Sequence, residues 1–300
     1  MKKHKYLFVF SMLFTITLIC VIFTRVYVSR EGYESEKQKI HVVTSFYPIY
    51  IAALNVAGDS PGIILENLSE PQTGCMHDYQ LTPQDMILLS KADLFLVNGG
   101  GIESFLADIG QEYPSLAVSY ASKDLGLQGG ENAHVWMNTE YYAKMVQNIA
   151  EAFAEADPQY AQVYQRNADS YCHKIQELTD EIRKLRETAA GKPVVIFHEA
   201  YEYVAGQLGM NTVYCMDLDE ERQVSAHEVA RVMDEISDNR VSVVFAEELY
   251  GSDMGNTVEA ETRAKVCYLD TLVRGDYEAD SYFLAVQNNI NILKQALEAP

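Results

Sequence analysis

The chain has 300 residues, 48% of them hydrophobic, so it is long enough to bury the cores of two domains. Its formal charge at pH 7 is -20, and the five basic residues before position 31 leave the rest of the chain with a net charge of -25. An acidic surface repels nucleic acid and attracts cations, so we expect no nucleic-acid partner.

Residues 1–30 predict a signal peptide or an N-terminal membrane anchor. Met1–Lys5 is basic, and residues 6–23 form an uncharged apolar stretch. A helix needs about 20 residues to span a bilayer core, so this stretch is long for a cleaved signal and marginal for an anchor. Cys20 leaves a lipid anchor open, although residues 17–19 lack the small side chain usual before a lipidated cysteine. Either way, basic residues stay inside, so the remainder is expected on the outer face of the cell membrane.

After a polar tether at residues 31–39, the chain alternates between strand and helix patterns. Thr82 and Pro83 provide a cap and a first-turn residue for one of the helices. Strands are predicted at 40–45 and 92–97, helices at 49–57 and 82–90, and an apolar segment lies near residues 62–68. Such βα units imply a parallel sheet with ligands at the carboxyl ends of its strands. We therefore expect an N-terminal α/β lobe over residues 40–156.

Residues 157–191 predict one long helix. After Pro158 the stretch to residue 190 has no Gly or Pro and is rich in helix-forming residues, which indicates about eight or nine turns. The βα pattern then resumes with strands at 194–197, 211–215, 241–246 and 265–269. This predicts a C-terminal α/β lobe over residues 192–300. The expected fold is two α/β lobes with parallel sheets, bridged by one rigid helix.

Three of the seven histidines lie where an α/β fold presents its ligands. His77 precedes a helix, His134 lies in a loop, and His198 follows a strand, while Asp270 follows the last strand. Imidazole is a common ligand of zinc, and zinc sites combine about four nitrogen, sulfur or oxygen donors. A single loop histidine is more often a structural residue. Because the four residues come from both lobes, we expect them to form a metal site in the cleft between the lobes.

Six short motifs follow one another along the chain. They are residues 42–48 (VVTSFYP), 77–79 (HDY) with 82–83 (TP), 91–95 (KADLF) with 98–99 (NG), 133–136 (AHVW), 197–200 (FHEA) and 269–270 (LD). In this order the chain resembles the zinc/manganese ABC-transporter substrate-binding proteins over about residues 41–298. The resemblance implies an ABC permease and its ATPase as partners, and we expect a monomer. It also implies metal ligands from the first lobe, His77 and His134, and from the second, His198 and Asp270.

The resemblance implies Zn²⁺ as the transported ligand, with Mn²⁺ as the alternative. Manganese-selective members usually have Glu at the position of His198, and zinc members usually have His, the softer donor. The chain differs from many zinc members because residues 121–132 contain no histidine. It also has a thiol, Cys75, two residues before His77, which leaves a fifth ligand open.

An enzyme is the main rival to a binding protein. A zinc-dependent hydrolase would keep a metal position for water and place a general base nearby. The sequence has no His-Glu-x-x-His, Gly-x-Ser-x-Gly or Gly-x-Gly-x-x-Gly motif, although Gly99–Gly101 follows a strand. We therefore expect no catalytic activity. An adhesin role on the same fold is left open.

Secondary expectations concern the surroundings of these ligands. Trp136 should pack behind His134, and Glu199 and Asp78 should orient the neighbouring imidazoles, as ligating histidines require. Arg222 is a weaker candidate for pairing with Asp270. Free thiols are the expected state of the cysteines, with one alternative left open, a disulfide between the strand-ending residues Cys215 and Cys267.

Overall fold

A computed structural model describes residues 10, 12–25, 39–69, 76, 77, 79–127, 132–218 and 222–297. The chain divides into two compact units, Met1–Ile40 and His41–Pro300. In the first unit, residues 12–25 form a helix with exposed side chains. Among the helices so described, none combines the length and the apolar composition needed to cross a bilayer. Part of the predicted membrane segment and nearly all of the predicted tether lie outside the described residues.

The first lobe is a four-stranded sheet with the strand order β2-β1-β3-β4. Strand β3 pairs in parallel with both β1 and β4. All four residues of β3 are buried, which explains why it has a continuous apolar sequence instead of an alternating one. The elements are β1 (Ile40–Thr44), α1 (Tyr47–Ala57), β2 (Ile63–Asn67), α2 (Pro83–Leu89), β3 (Leu94–Val97), α3 (Leu106–Glu112) and β4 (Ala117–Tyr120).

Helix α2 begins where the sequence predicts. The Thr82 side chain accepts a hydrogen bond from the Asp85 backbone N–H, and the Asp85 carboxylate accepts one from the Thr82 backbone N–H. This reciprocal capping box satisfies two donors at the start of the helix. It ends the loop that carries His77.

Two helices lead from the first lobe to the second, α4 (Thr139–Ala156) and α5 (Ala161–Ala189). Helix α5 has 29 residues, as the predicted long helix requires. Its buried residues recur every three or four positions along one face, among them Tyr164, Ala168, Tyr171, Ile175, Leu178 and Ile182. This face packs against helices of both halves of the chain. This continuous helix bridges the two lobes.

The second lobe repeats the topology of the first. Its strand order is β6-β5-β7-β8, and the β5–β6, β5–β7 and β7–β8 pairs are parallel. Its elements are β5 (Pro193–Ile196), α6 (Tyr201–Leu208), β6 (Asn211–Cys215), α7 (Ala226–Asn239), β7 (Val243–Ala246), α8 (Glu248–Glu261), β8 (Lys265–Tyr268) and α9 (Ser281–Leu297). In both lobes the strand order reverses beside the first strand, which places a ligand-binding crevice at that strand's carboxyl end.

Trp136 joins the two lobes at the base of the cleft. The indole is fully buried, and its ring meets Phe46 edge-on, with centroids 5.0 Å apart. Its N–H donates a hydrogen bond to the Thr271 carbonyl at 2.9 Å, while its own backbone carbonyl accepts one from the Tyr282 hydroxyl. Phe46 follows β1, whereas Thr271 follows β8, so one side chain ties the carboxyl edges of both sheets together.

Candidate metal centre

His77 and His134 face each other at the carboxyl edge of the first lobe. His134 is 1% exposed and begins the short turn Val135–Met137, whereas His77 is partly exposed. Their Nε2 atoms are 3.4 Å apart. Two nitrogens bound to tetrahedral zinc at about 2.0–2.1 Å lie about 3.3 Å from each other. The pair is therefore spaced as two ligands of one metal ion would be.

Asn132 determines which nitrogen of His134 is available. Its side-chain oxygen accepts hydrogen bonds from the His134 backbone N–H at 3.1 Å and from Nδ1 at 2.9 Å. Its amide nitrogen donates to the Glu199 carbonyl at 2.7 Å, which sets the orientation of the amide. With a proton held on Nδ1, the neutral ring has its lone pair on Nε2. That nitrogen is the one that faces His77.

The buried carboxylate of Glu103 supports the loop of His134 indirectly, through Asn98. Glu103 is 2% exposed and accepts hydrogen bonds from the Ser45 hydroxyl and from the backbone N–H groups of Asn98 and Gly99. Burial raises the pKa of Glu103, and these hydrogen bonds offset part of that rise. The Asn98 side chain in turn donates to the Ala133 carbonyl, next to His134. The glycine segment after β3 is thus folded around the Glu103 carboxylate, which accepts hydrogen bonds from its backbone.

His198 lies against His134 from the second lobe. It is 3% exposed, and the two rings meet edge-on with centroids 4.9 Å apart. Its Nδ1 accepts a hydrogen bond from the Ala200 backbone N–H at 3.0 Å. In that arrangement a neutral ring carries its proton on Nε2. Ligation through Nε2 therefore requires the Ala200 contact to break and the ring proton to move to Nδ1.

Asp270 follows β8 at the same edge of the second sheet, but it is exposed. One carboxylate oxygen accepts a hydrogen bond from the Leu272 backbone N–H at 2.7 Å. Desolvation by the surrounding chain raises the pKa of Asp270, although the Leu272 hydrogen bond and the charge of Arg274 oppose this rise. Asp270 lies outside the closest group of donor atoms, and its role as a ligand stays a prediction.

The closest group of donors includes a residue that the sequence analysis did not assign as a ligand. Among the described residues, donor atoms of His77, His134 and Glu199 all lie within 4.8 Å of one another. Glu199 Oε1 is 3.3 Å from His134 Nδ1 and 3.9 Å from His77 Nε2. The hydrogen bond with His134 is the main cause that lowers the pKa of Glu199. This contact is the one expected of a carboxylate that orients an imidazole, while Asp78 lies outside the described residues.

The second-lobe wall of the site contains an ion pair. A cavity of about 10 Å³, room for roughly one water molecule, lies beside His134 and His198 and is also lined by Glu247 and Arg274. An Arg274 nitrogen lies 3.5 Å from the Glu247 carboxylate. Arg274, and not Arg222, is the basic residue whose charge acts on Asp270. The structure contradicts the suggested pairing of Arg222, which binds Asp217 and Glu228.

The open alternative of a disulfide between Cys215 and Cys267 is wrong. Cys215 ends β6 and Cys267 lies in β8, and these strands form opposite edges of the second sheet. Both thiols are free, and burial raises the pKa of each to about 12. They stay protonated at neutral pH and are poor metal ligands. Cys75 lies outside the described residues.

The chain has the features of the two-lobed metal-binding proteins. These features are two α/β lobes, a bridging helix and facing imidazoles at the lobe edges. The chain matches the family model described as zinc-uptake complex component A, periplasmic (ZnuA) over residues 42–296, and it belongs to this family. Family members are extracytoplasmic solute-binding proteins that work with an ABC permease and its ATPase. They are not enzymes, so the hydrolase alternative is wrong.

The proteins that are similar to this chain are named for different metals. The chain is 31% identical to the iron-binding protein YfeA of Yersinia pestis over 274 residues, which are 87% of each chain. It is 27% identical to the high-affinity zinc uptake system protein ZnuA of Bacillus subtilis, over 99% of this chain and 97% of the other. The solved structure of the metal-dependent lipoprotein YcdH of Bacillus subtilis superimposes with a TM-score of 0.74 at 26% identity, covering 87% of this chain and all of that one.

Proposed function

We propose that this substrate-binding protein captures Zn²⁺ outside the cell membrane and delivers it to its ABC permease. The coarser statement, a divalent metal as cargo, follows from the family. The observation that carries the choice of zinc is the pair of facing Nε2 atoms, 3.4 Å apart, with a third imidazole against one of them. Three nitrogens and one carboxylate suit tetrahedral zinc better than manganese, which prefers oxygen donors in a larger shell.

The proposed ligands are His77, His134, His198 and Asp270. Two come from each lobe, so tilting the lobes apart removes half of the coordination shell at once. Docking to a permease that favours the separated state would therefore lower metal affinity by linkage. The stiff helix α5 between the lobes favours a small tilt over a wide hinge movement.

The experiment that tests the function is a metal titration of the full-length chain in detergent. One Zn²⁺ per chain should bind and raise the melting temperature, because a ligand that binds only the folded state stabilises it by mass action. Manganese should bind more weakly in a parallel titration. A wild-type chain that bound neither metal would contradict the proposal.

We further propose that the N-terminal segment holds the protein at the outer face of the membrane. The apolar stretch at residues 6–23 with basic residues before it supports this, as does the word lipoprotein in the name of YcdH. The full-length chain should sediment with the membranes of its host and be cleaved by protease added outside the cells. Recovery of the intact chain in the cytosolic fraction would contradict this location.

A tyrosine links the loops that carry proposed ligands from opposite lobes. Tyr277, seven residues after Asp270, donates a hydrogen bond from its hydroxyl to the Ser69 carbonyl at 3.0 Å. The same hydroxyl accepts one from the Asn67 side chain at 2.8 Å, and the ring packs on Tyr50 with centroids 4.4 Å apart. Ser69 lies between β2 and the loop of His77. Tyr277 therefore joins the segment after Asp270 to the end of β2, and we propose that this link favours the closed state of the cleft.

Tyr277→Phe should accelerate zinc release several-fold without removing a ligand. Each lost hydrogen bond contributes about 0.5–1.5 kcal/mol to the closed state, and about 1.4 kcal/mol corresponds to a tenfold change. Stopped-flow mixing of the zinc-loaded protein with excess chelator measures the rate. Tyr120→Phe, at an exposed tyrosine, is the matched control. An unchanged release rate in Tyr277→Phe would show that the hydroxyl does not keep the cleft closed.

A further inference from the structure

Glu199 stands out because it contacts both first-lobe imidazoles from the opposite lobe. It follows His198 directly, at the carboxyl end of β5, whereas His77 and His134 lie at the edge of the other sheet. Its Oε1 lies 3.9 Å from Nε2 of His77, the nitrogen that faces His134 Nε2, and 3.3 Å from Nδ1 of His134, the ring nitrogen that does not face His77. The carboxylate is thus positioned across the cleft, where a metal bound to His77 would meet it.

Asn132 and Glu199 both contact Nδ1 of His134, so the orientation of this ring does not depend on Glu199 alone. Asn132 already accepts the Nδ1 proton of His134 at 2.9 Å, closer than the Glu199 carboxylate at 3.3 Å. Asn132 also donates a hydrogen bond to the backbone carbonyl of Glu199, which holds the main chain of that residue and does not engage its carboxylate. The Glu199 side chain is 42% exposed, so a rotation of its outer bonds meets little obstruction.

We infer that Glu199 is an additional metal ligand, which joins the coordination shell from the second lobe and broadens the choice of metal. The inference rests on the proposed function. With His77, His134, His198 and Asp270, it gives three nitrogen and two carboxylate donors. Zinc is satisfied by four donors, whereas Mn²⁺ and Fe²⁺ favour oxygen ligands and larger shells. Glu199 therefore stabilises the bound state of these two metals more than that of zinc.

Glu199→Gln tests this role because it removes the charge and keeps the size of the side chain. In the full-length chain in detergent, Mn²⁺ affinity should fall by about tenfold or more, and Zn²⁺ affinity by less than about threefold. Competition titrations with a chromophoric chelator measure both. Glu261→Gln, an exposed carboxylate on α8 of the same lobe, makes the same change in net charge and should alter neither affinity.

Cobalt provides a second readout that a general effect of charge would not change. Co²⁺ absorbs weakly in the visible range in five- or six-coordinate sites and more strongly in tetrahedral ones. Loss of the Glu199 ligand should therefore intensify the absorption of the Co²⁺-loaded chain.

The possible results separate this inference from the function on which it rests. Unchanged Mn²⁺ affinity and an unchanged Co²⁺ spectrum in Glu199→Gln, with tight metal binding by the wild type, would overturn the inference and leave the function standing. Equal weakening of Zn²⁺ and Mn²⁺ with an unchanged spectrum would also overturn it. A wild-type chain that bound no metal would instead contradict the proposed function.

Discussion

His134→Ala is expected to lower zinc affinity by at least about 100-fold and to abolish the rise in melting temperature that zinc produces. His134 is the central residue of the site, because it contacts His77, His198 and Glu199. Its Nε2 is also the nitrogen that the Asn132 hydrogen bond leaves available. Its removal deletes one donor and leaves the remaining imidazoles without their common neighbour.

The measurement is a competition titration of the full-length chain, together with thermal unfolding with and without zinc. His173→Ala is the control, since the His173 side chain is 83% exposed on α5 and distant in sequence from every proposed ligand. The apo forms of both variants should unfold cooperatively, which separates a lost ligand from a misfolded chain. Zinc affinity in His134→Ala within about threefold of the wild type would contradict the proposed site.

The lobes and the long helix could be predicted because their signals are local. Strand β3 is an unbroken apolar run between turn residues, and α5 repeats its apolar face for 29 residues without Gly or Pro. Strand β4 has no such signal. It has only four residues, Ala117–Tyr120, and none of them is buried, so its sequence lacks the apolar pattern of a core strand. Its place in the sheet comes from pairing with β3, which no local pattern reveals.

The site could be predicted only in part. The sheet topology determines at which edge a residue lies, but the direction of its side chain determines which residues it contacts. The carboxyl ends of β5 and β8 belong to one edge of one sheet, so the rule for parallel sheets places His198 and Asp270 at that edge. It does not give the direction of each side chain. Glu199 meets His134 across 65 positions of sequence and between two lobes, a contact that depends on how the lobes close. The only signal in the sequence was its position directly after His198.

Although the two lobes share one topology, they differ in the residues that follow the corresponding strands β1 and β5. The residue after β1 is Ser45, whose hydroxyl binds the buried Glu103, whereas His198 comes two residues after the corresponding strand β5. The first lobe uses this edge for an internal hydrogen-bond network and supplies its imidazoles from longer loops. The second lobe presents its donors directly from strand ends, so a substitution there changes the donor with little effect on the loops.

His198→Glu is expected to weaken zinc binding more than manganese binding and to reduce the preference for zinc by at least about tenfold. The change replaces a nitrogen donor with an oxygen donor at a buried position, 3% exposed, in contact with His134. Zinc loses one of three imidazoles, while manganese gains a carboxylate. His198→Gln removes the imidazole without adding a charge and serves as the matched control.

Competition titrations of Zn²⁺ and Mn²⁺ against the wild type and both variants measure the preference. His198→Gln should weaken both metals, because it supplies a weaker donor to either. A shift towards manganese in His198→Glu alone would therefore assign the effect to the carboxylate and not to the loss of packing. A wild type that prefers manganese, or an unchanged ratio in His198→Glu, would show that His198 does not determine the choice of metal, and the proposal of zinc as cargo would lose its main support.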